Sequence, residues 1–217
     1  MASYYPIFLD LSGAHCVVVG GGEVAARKAR GLAETGARVT AVAPDFCSQF
    51  DALAGVDRLR RPYEASVLAG ARVVIAATDD MATNDTVRRD AHAAGALVNV
   101  VDQPARCDFI VPATVVQGDL VLAVSTGGAS PALAARVRRE LEDAYPQVYA
   151  EFVALLREVR EEVLGTVDTP ARRKTIFARL AGHEFLASLV AEGPTTTLKR
   201  MRQFIREETR KPAASDT

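Results

Sequence analysis

The sequence predicts an α/β protein: a parallel, doubly wound sheet first, a helical part afterwards. Three observations predict it. Residues 15–44, "HCVVVGGGEVAARKARGLAETGARVTAVAP", read as strand, glycine turn, helix and strand, a βαβ unit of the expected length. Short apolar β-branched runs then alternate with helix-period segments, as in a parallel sheet. After "GGASP" the apolar residues keep helical spacing to near the end of the chain.

Each element has a local reason. Cys16–Val19 is a continuous apolar run, suited to a strand covered on both faces. Val24–Glu34 is alanine-rich with helical spacing, and Gly36 is placed to end it. Val39–Val42, Ala71–Thr78 and Ala96–Val101 are further strands, with a helix over Asn84–Ala94 between the last two. Phe109–Val111, Thr114–Val116 and Leu120–Val124 are short strands. Gln117-Gly118-Asp119 joins the last two as a hairpin, so antiparallel pairing enters there. Pro131–Asp143 is a helix with Ser130 at its N-cap and Pro131 in its first turn. Helices follow over Val148–Leu164, Pro170–Ala181, His183–Glu192 and Pro194–Thr209, with Thr195–Thr197 open between helix and cap. The tail "KPAASDT" is expected to fray.

Composition narrows the function classes. With 49% hydrophobic and 24% charged residues in 217, a sizeable core can form. A net charge of -1 supplies no bulk attraction to nucleic acid or to a membrane surface. Cys16, Cys47 and Cys107 are odd in number and lack CxxC spacing, which favours a reducing compartment over disulfides or a zinc knuckle. No signal peptide and no membrane-spanning run is recognised, so a cytoplasmic location is expected. His15, His92 and His183 are scattered and no HExxH occurs, so no dedicated metal cage is expected.

Gly20-Gly21-Gly22-Glu23-Val24-Ala25 fits G-x-G-x-x-A between strand and helix. The first glycine permits the tight turn, the second admits a pyrophosphate, and Ala25 lets the helix lie close to the sheet. The helix N-terminus offers free N–H groups to the phosphates. The context favours dinucleotide binding over a plain turn. Asp45, after Pro44 at the end of the second strand, is placed to accept from the adenosine ribose, which favours NAD. Thr78-Asp79-Asp80 ends the next buried strand, where such a sheet meets the nicotinamide half; a turn or N-cap role for Asp79 and Asp80 is equally open. Asp102, in "NVVDQP", ends the strand after that, and topology alone leaves it between a chemical role and an Asx-type turn. "STGGASP" offers hydroxyls and a glycine turn before a helix carrying Arg136, Arg138 and Arg139. A capped helix in a subunit interface is favoured there over an anion site. Arg172, Arg173, Lys174, Lys199, Arg200, Arg202 and Arg206 crowd the helical part. A solvated face is favoured over a surface for a polycarboxylate.

The pieces "YPIFLDLSG", "CVVVGGGEVAARKARGL", "GARVTAVAP", "VVIAATDD", "NVVDQP", "DFIVPA" and "LVLAVSTGGASPALAARVRREL" fall in order over about the first 145 residues. Together they resemble the precorrin-2 dehydrogenases, relatives of the N-terminal half of siroheme synthase. The resemblance implies a Rossmann-like NAD domain over 1–113, a dimerisation segment over 114–146 and a helical domain over 147–217, assembled as a homodimer. It implies NAD-dependent oxidation of precorrin-2 to sirohydrochlorin, followed in some members by Fe²⁺ insertion in the same cleft. Asp102 matches the family's catalytic aspartate, and the NAD contacts fall on Gly20 to Val24, Pro44 and Asp45. A tetrapyrrole rich in carboxylates gives a reason for arginines, for which Arg106, Arg136 and Arg139 are the candidates. The sequence departs from the family in two respects. No room is expected for the methyltransferase domain of the fused siroheme synthases, and Thr126 stands where some members carry a serine.

Two other classes compete. A short-chain dehydrogenase is disfavoured because no Tyr-x-x-x-Lys occurs. A non-catalytic NAD-sensing Rossmann module with a helical output domain would bind the cofactor without turning over a tetrapyrrole.

Overall fold

The structure, a computed structural model, describes residues 4–210, so the tail expected to fray lies outside the described residues. The chain divides into two compact units, Met1–Val111 and Pro112–Thr217.

In the first unit, strands β1 (His15–Val19), β2 (Arg38–Ala43), β3 (Val56–Arg60), β4 (Ala71–Ala76) and β5 (Leu97–Val100) form one sheet in the order β3-β2-β1-β4-β5. All its pairings are parallel. This is the Rossmann-like, doubly wound order, and all the strand ends that matter to a ligand lie on one edge. Helix α1 (Glu23–Ala33) covers one face through Ala25, Ala26, Ala29 and Leu32. Helix α2 (Met81–Ala93) covers the other through Val87 and Ala91. Val17, Val18, Val19, Val73 and Val74 are at most 1% exposed. Each such side chain contributes about 1.5–3 kcal/mol on burial, which explains why these central strands read so clearly as apolar runs.

The periphery departs from expectation. The edge strand β3, "VDRLR", escapes notice because only Val56 and Leu59 turn inward, between charged residues that protect a sheet edge. Phe109–Val111, expected as a strand, is not one. Its approach is fixed by individual bonds: the Asp108 N–H donates to the Val98 carbonyl, and the Asp108 carboxylate accepts from the Val98 N–H at 2.9 Å. The side chain of Asn99 donates to the Phe109 carbonyl at 2.9 Å, so a side chain takes the place of a ladder partner. Helix α2 begins earlier than expected, because Asp80 is its N-cap and accepts from the N–H groups of Ala82 and Thr83. These bonds, first that from the Thr83 hydroxyl, hold the Asp80 carboxyl below the usual range.

In the second unit, β6 (Ala113–Gln117) and β7 (Leu120–Val124) pair antiparallel across the turn Gly118-Asp119. Gly118 takes φ +59° at the first turn position, the glycine of a type II′ hairpin. Helix α3 (Pro131–Ala144) packs on this hairpin and is capped by Ser130, whose hydroxyl accepts from the Leu133 N–H at 3.2 Å. Helices α4 (Val148–Thr166), α5 (Pro170–Leu180), α6 (His183–Glu192) and α7 (Pro194–Arg210) enclose a separate core. Phe152, Val159, Leu180, Leu189 and Met201 are among its members. Thr195–Thr197 belongs to α7 rather than to a cap.

Candidate active site

The glycine turn is wedged between the ends of two strands. The Gly20 N–H donates to the Val42 carbonyl, and the Ala77 N–H donates back to the Val19 carbonyl. Gly20 has φ +137°, and a Cβ there would stand 2.2 Å from the Ala77 oxygen. A Cβ on Gly21 would stand 1.8 Å from the Asp45 oxygen. Gly21 therefore has a steric role that the motif, which leaves its position free, does not announce. The only signal in the sequence is that three glycines stand where two suffice. Gly22 is different: it is the N-cap of α1, in extended backbone, and a Cβ there would meet nothing. No side chain caps α1, so the first-turn N–H groups over Glu23 and Val24 face open space beside Gly22. That arrangement fits a pyrophosphate.

Asp45 follows Pro44 at the carboxyl end of β2, and its carboxylate is 92% exposed beside the guanidinium of Arg60 at 3.4 Å. Thr78 follows β4 and is locked by buried Asn84. The Asn84 side-chain amide donates to the Thr78 carbonyl at 2.8 Å, and the Thr78 N–H donates to the Asn84 side-chain oxygen at 3.2 Å. The Thr78 hydroxyl also donates within this cluster, toward Asn84 at 2.8 Å. Asn84 escaped the sequence reading because a single asparagine early in a helix carries no pattern.

Asp102 stands just past β5, on the same edge of the sheet as the glycine turn. The Gln103 N–H donates to the Val100 carbonyl at 3.2 Å, closing a turn in which Asp102 takes φ +60°. It is the one non-glycine residue with positive φ among the described residues. Aspartate is among the few non-glycine residues that adopt this backbone, and the surrounding bonds hold the turn. Cys107 is the main clamp. Its sulfur accepts from the Val100 N–H at 3.2 Å and from Asn99 Nδ2 at 3.5 Å. Its thiol reaches the Val100 and Gln103 carbonyls, each at 3.2 Å. Burial pushes the Cys107 thiol up, which keeps the proton needed for that donation. Half-buried Lys28 on α1 has its pKa lowered by burial first and by Arg27 next, while Asp102 and Cys107 act to raise it. A cation thus stands within electrostatic reach of Asp102. Neither Lys28 nor Cys107 was legible as part of the site, since Lys28 comes near Asp102 only in the fold and Cys107 acts through bonds to the backbone on either side of Asp102.

Cys107→Ala is expected to destabilise the protein by about 1–2 kcal/mol, because the Val100 N–H loses its sulfur acceptor and the Asn99 amide keeps only the Phe109 carbonyl. Urea unfolding checks it, and an unchanged midpoint would remove the clamp from the account.

Residues 7–113 match a family model described as NAD(P)-binding, and residues 117–144 match one described as the central part of sirohaem biosynthesis proteins. The chain is 48% identical over 196 residues to a siroheme synthase of Pseudomonas putida (strain W619), covering 87% of this chain and 42% of that protein. It is 38% identical over 224 residues to a siroheme synthase of Nitrosospira multiformis, covering 99% of this chain and 47% of that one. Among solved structures it is similar to SirC, precorrin-2 dehydrogenase, with a TM-score of 0.74 and 28% identity over 92% of this chain and all of that one. The chain belongs to the precorrin-2 dehydrogenase and siroheme synthase family. It spans less than half the length of those two siroheme synthases.

In this member of the precorrin-2 dehydrogenase and siroheme synthase family, the first unit is an NAD(P)-binding domain of Rossmann-like fold. The three candidate substrate arginines are divided between the units. Arg106, in the first, pairs with Asp85 of α2. Arg136 and Arg139 lie three apart on α3 in the second, and Arg136 pairs with Glu140 at 3.3 Å. Much of the basic helical surface serves the fold. Arg202 bridges Glu158 and Glu162 at 2.9 and 2.6 Å, Arg200 pairs with Glu192 at 3.0 Å, and Arg173 donates to the Leu164 and Val167 carbonyls ending α4. Among the described residues no cluster of His, Cys, Asp and Glu is arranged to hold a metal ion, and no helix is long and apolar enough to cross a membrane.

Proposed function

We propose that this protein catalyses the NAD⁺-dependent dehydrogenation of precorrin-2 to sirohydrochlorin in siroheme biosynthesis. The observation that carries the reading is Asp102, held in a left-handed turn at the carboxyl edge of a dinucleotide-type sheet. The oxidation removes a hydride and a proton from the macrocycle. NAD⁺, when bound, accepts the hydride. Asp102 accepts the proton as general base. Gly20, Gly21, Gly22, Glu23 and Val24 receive the pyrophosphate, Pro44 and Asp45 the adenosine ribose, and the chain at Thr78 the nicotinamide side. Arg106, Arg136 and Arg139 take substrate carboxylates.

We assign Fe²⁺ insertion into sirohydrochlorin to the same carboxylate, which would accept the pyrrole protons that the metal displaces. The macrocycle supplies the nitrogen ligands, so Fe²⁺ enters as a substrate. The protein acts as a homodimer through segment 114–146, between the NAD domain (1–113) and the helical domain (147–217). In support, α3 has no buried residue, a lone two-stranded hairpin is marginal by itself, and Val116 and Leu133 are 60% and 41% exposed. Free cysteines, with no spanning helix among the described residues, support a cytoplasmic site of action.

A two-step assay tests the reading. Precorrin-2 and NAD⁺ are expected to yield sirohydrochlorin with reduced nicotinamide, and Fe²⁺ added afterwards to yield siroheme faster than without protein. Cofactor binding without tetrapyrrole turnover would leave the NAD-sensing module instead. Metallation at the uncatalysed rate would confine the protein to the dehydrogenation.

A further inference from the structure

Arg60 is the last residue of the edge strand β3 and lies in register with Ala43 of β2, two residues before Asp45. The strands run parallel, so both carboxyl ends emerge side by side. The guanidinium stands 3.4 Å from the Asp45 carboxylate and 5.9 Å from the ring centroid of Phe46. Phe46 is itself fixed edge-on against buried Phe50, with 4.8 Å between centroids. Its neighbours Arg58 and Arg61 are turned to other carboxylates, Asp51 at 2.6 Å and Glu64 at 3.2 Å. Arg60 is thus the arginine of β3 directed at the place where the adenosine ribose is read.

A bare carboxylate at this place accepts from a ribose 2′-hydroxyl and repels a 2′-phosphate. Here the carboxylate has a cation beside it. Both groups are largely exposed, at 63% for Arg60 and 92% for Asp45, and exposed pairs hold one another weakly. Arg60 can leave Asp45 at little cost and present its planar fork to a phosphate, a better partner than one exposed carboxylate. We infer that Arg60 reads the 2′ position of the adenosine ribose, so that this site takes the 2′-phosphorylated dinucleotide NADP⁺ as well as NAD⁺. The inference rests on the cofactor site proposed above and names the residue that sets its choice between the two dinucleotides.

Calorimetric titration of the full chain with NAD⁺ and with NADP⁺ tests it, using the unaltered protein, Arg60→Glu, Arg60→Gln and Asp45→Asn. The unaltered protein is expected to bind both, with affinities within about tenfold of each other. Arg60→Glu is expected to lower the ratio of NADP⁺ to NAD⁺ affinity by at least about tenfold, and Arg60→Gln by less. Asp45→Asn, which removes the repulsion and frees Arg60, is expected to raise that ratio. Arg60 is exposed on an edge strand, so circular dichroism should show all variants folded. NAD⁺ binding without NADP⁺ binding, or a ratio unmoved by Arg60→Glu, overturns the inference alone. Failure of both dinucleotides to bind overturns the cofactor site with it.

Discussion

Asp102→Asn is expected to reduce precorrin-2 oxidation by about 10²–10⁴-fold, the usual loss when a positioned general base is removed. Asparagine suits this test because it tolerates the left-handed backbone as well as aspartate does. The turn at φ +60° and its Cys107 clamp should therefore persist. Only the ability to accept a proton is lost. Alanine would confuse the result by adding backbone strain at the same position. Asp102→Gly supplies the converse control. Glycine relieves the strain, so this variant should be as stable as the unaltered protein or more stable by about 1 kcal/mol, yet equally inactive. A carboxylate that the fold can spare but turnover requires would have a chemical role. Rapid-quench measurement of sirohydrochlorin, with urea melts for both variants, checks the pair. Near-full activity in Asp102→Asn would remove Asp102 as the base.

Gly21→Ala is expected to destabilise the first unit by about 3 kcal/mol and to abolish dinucleotide binding. The new methyl would fall 1.8 Å from the Asp45 carbonyl, which is backbone and cannot swing aside. The Cys47 N–H donates to the Gly21 carbonyl at 2.8 Å, so the two segments cannot part without losing that bond. Displacing Asp45 would also move the carboxylate proposed to read the ribose. Gly22→Ala is the informative contrast. Its Cβ meets nothing and its φ of -80° suits any residue, so stability should change by no more than about 0.5 kcal/mol. Its methyl would instead occupy the approach to the α1 N-terminus, and NAD⁺ affinity should fall by about tenfold. Chemical denaturation and calorimetric titration separate the two. Equal stability of the Gly21 and Gly22 variants would contradict this division of roles.

The parts of the fold legible in the sequence are those with a periodic or compositional cause. β1, β2, β4 and β5 were legible because strands covered on both faces are rich in apolar, β-branched residues. α3 was legible from its Ser130-Pro131 start and its 3.6-residue repeat. β3 was not, because an edge strand can be mostly charged, and "VDRLR" turns only Val56 and Leu59 inward, one to each face of the sheet. Phe109–Val111 read as a strand, but the side chains of Asn99 and Asp108 supply the bonds a ladder would have made. The site divides in the same way. Gly20, Gly22, Asp45 and Asp102 lie at strand ends that the βαβ order already locates. Gly21, Lys28 and Arg60 gain their meaning from residues distant in the chain, and Asn84 and Cys107 from side-chain bonds to nearby backbone that no sequence pattern announces.

The sequence by itself determined the βαβ alternation, and with it a parallel doubly wound sheet, and the kind of cofactor. These follow from local periodicity together with the handed connection of parallel strands. Only the tertiary structure decided how "NVVDQP" is held. The left-handed turn at Asp102 depends on a sulfur five residues on and on the folded path that brings it back beneath Val100. Only the tertiary structure, likewise, set Arg60 beside Asp45, because their meeting depends on the register of two parallel strands and on no spacing along the chain.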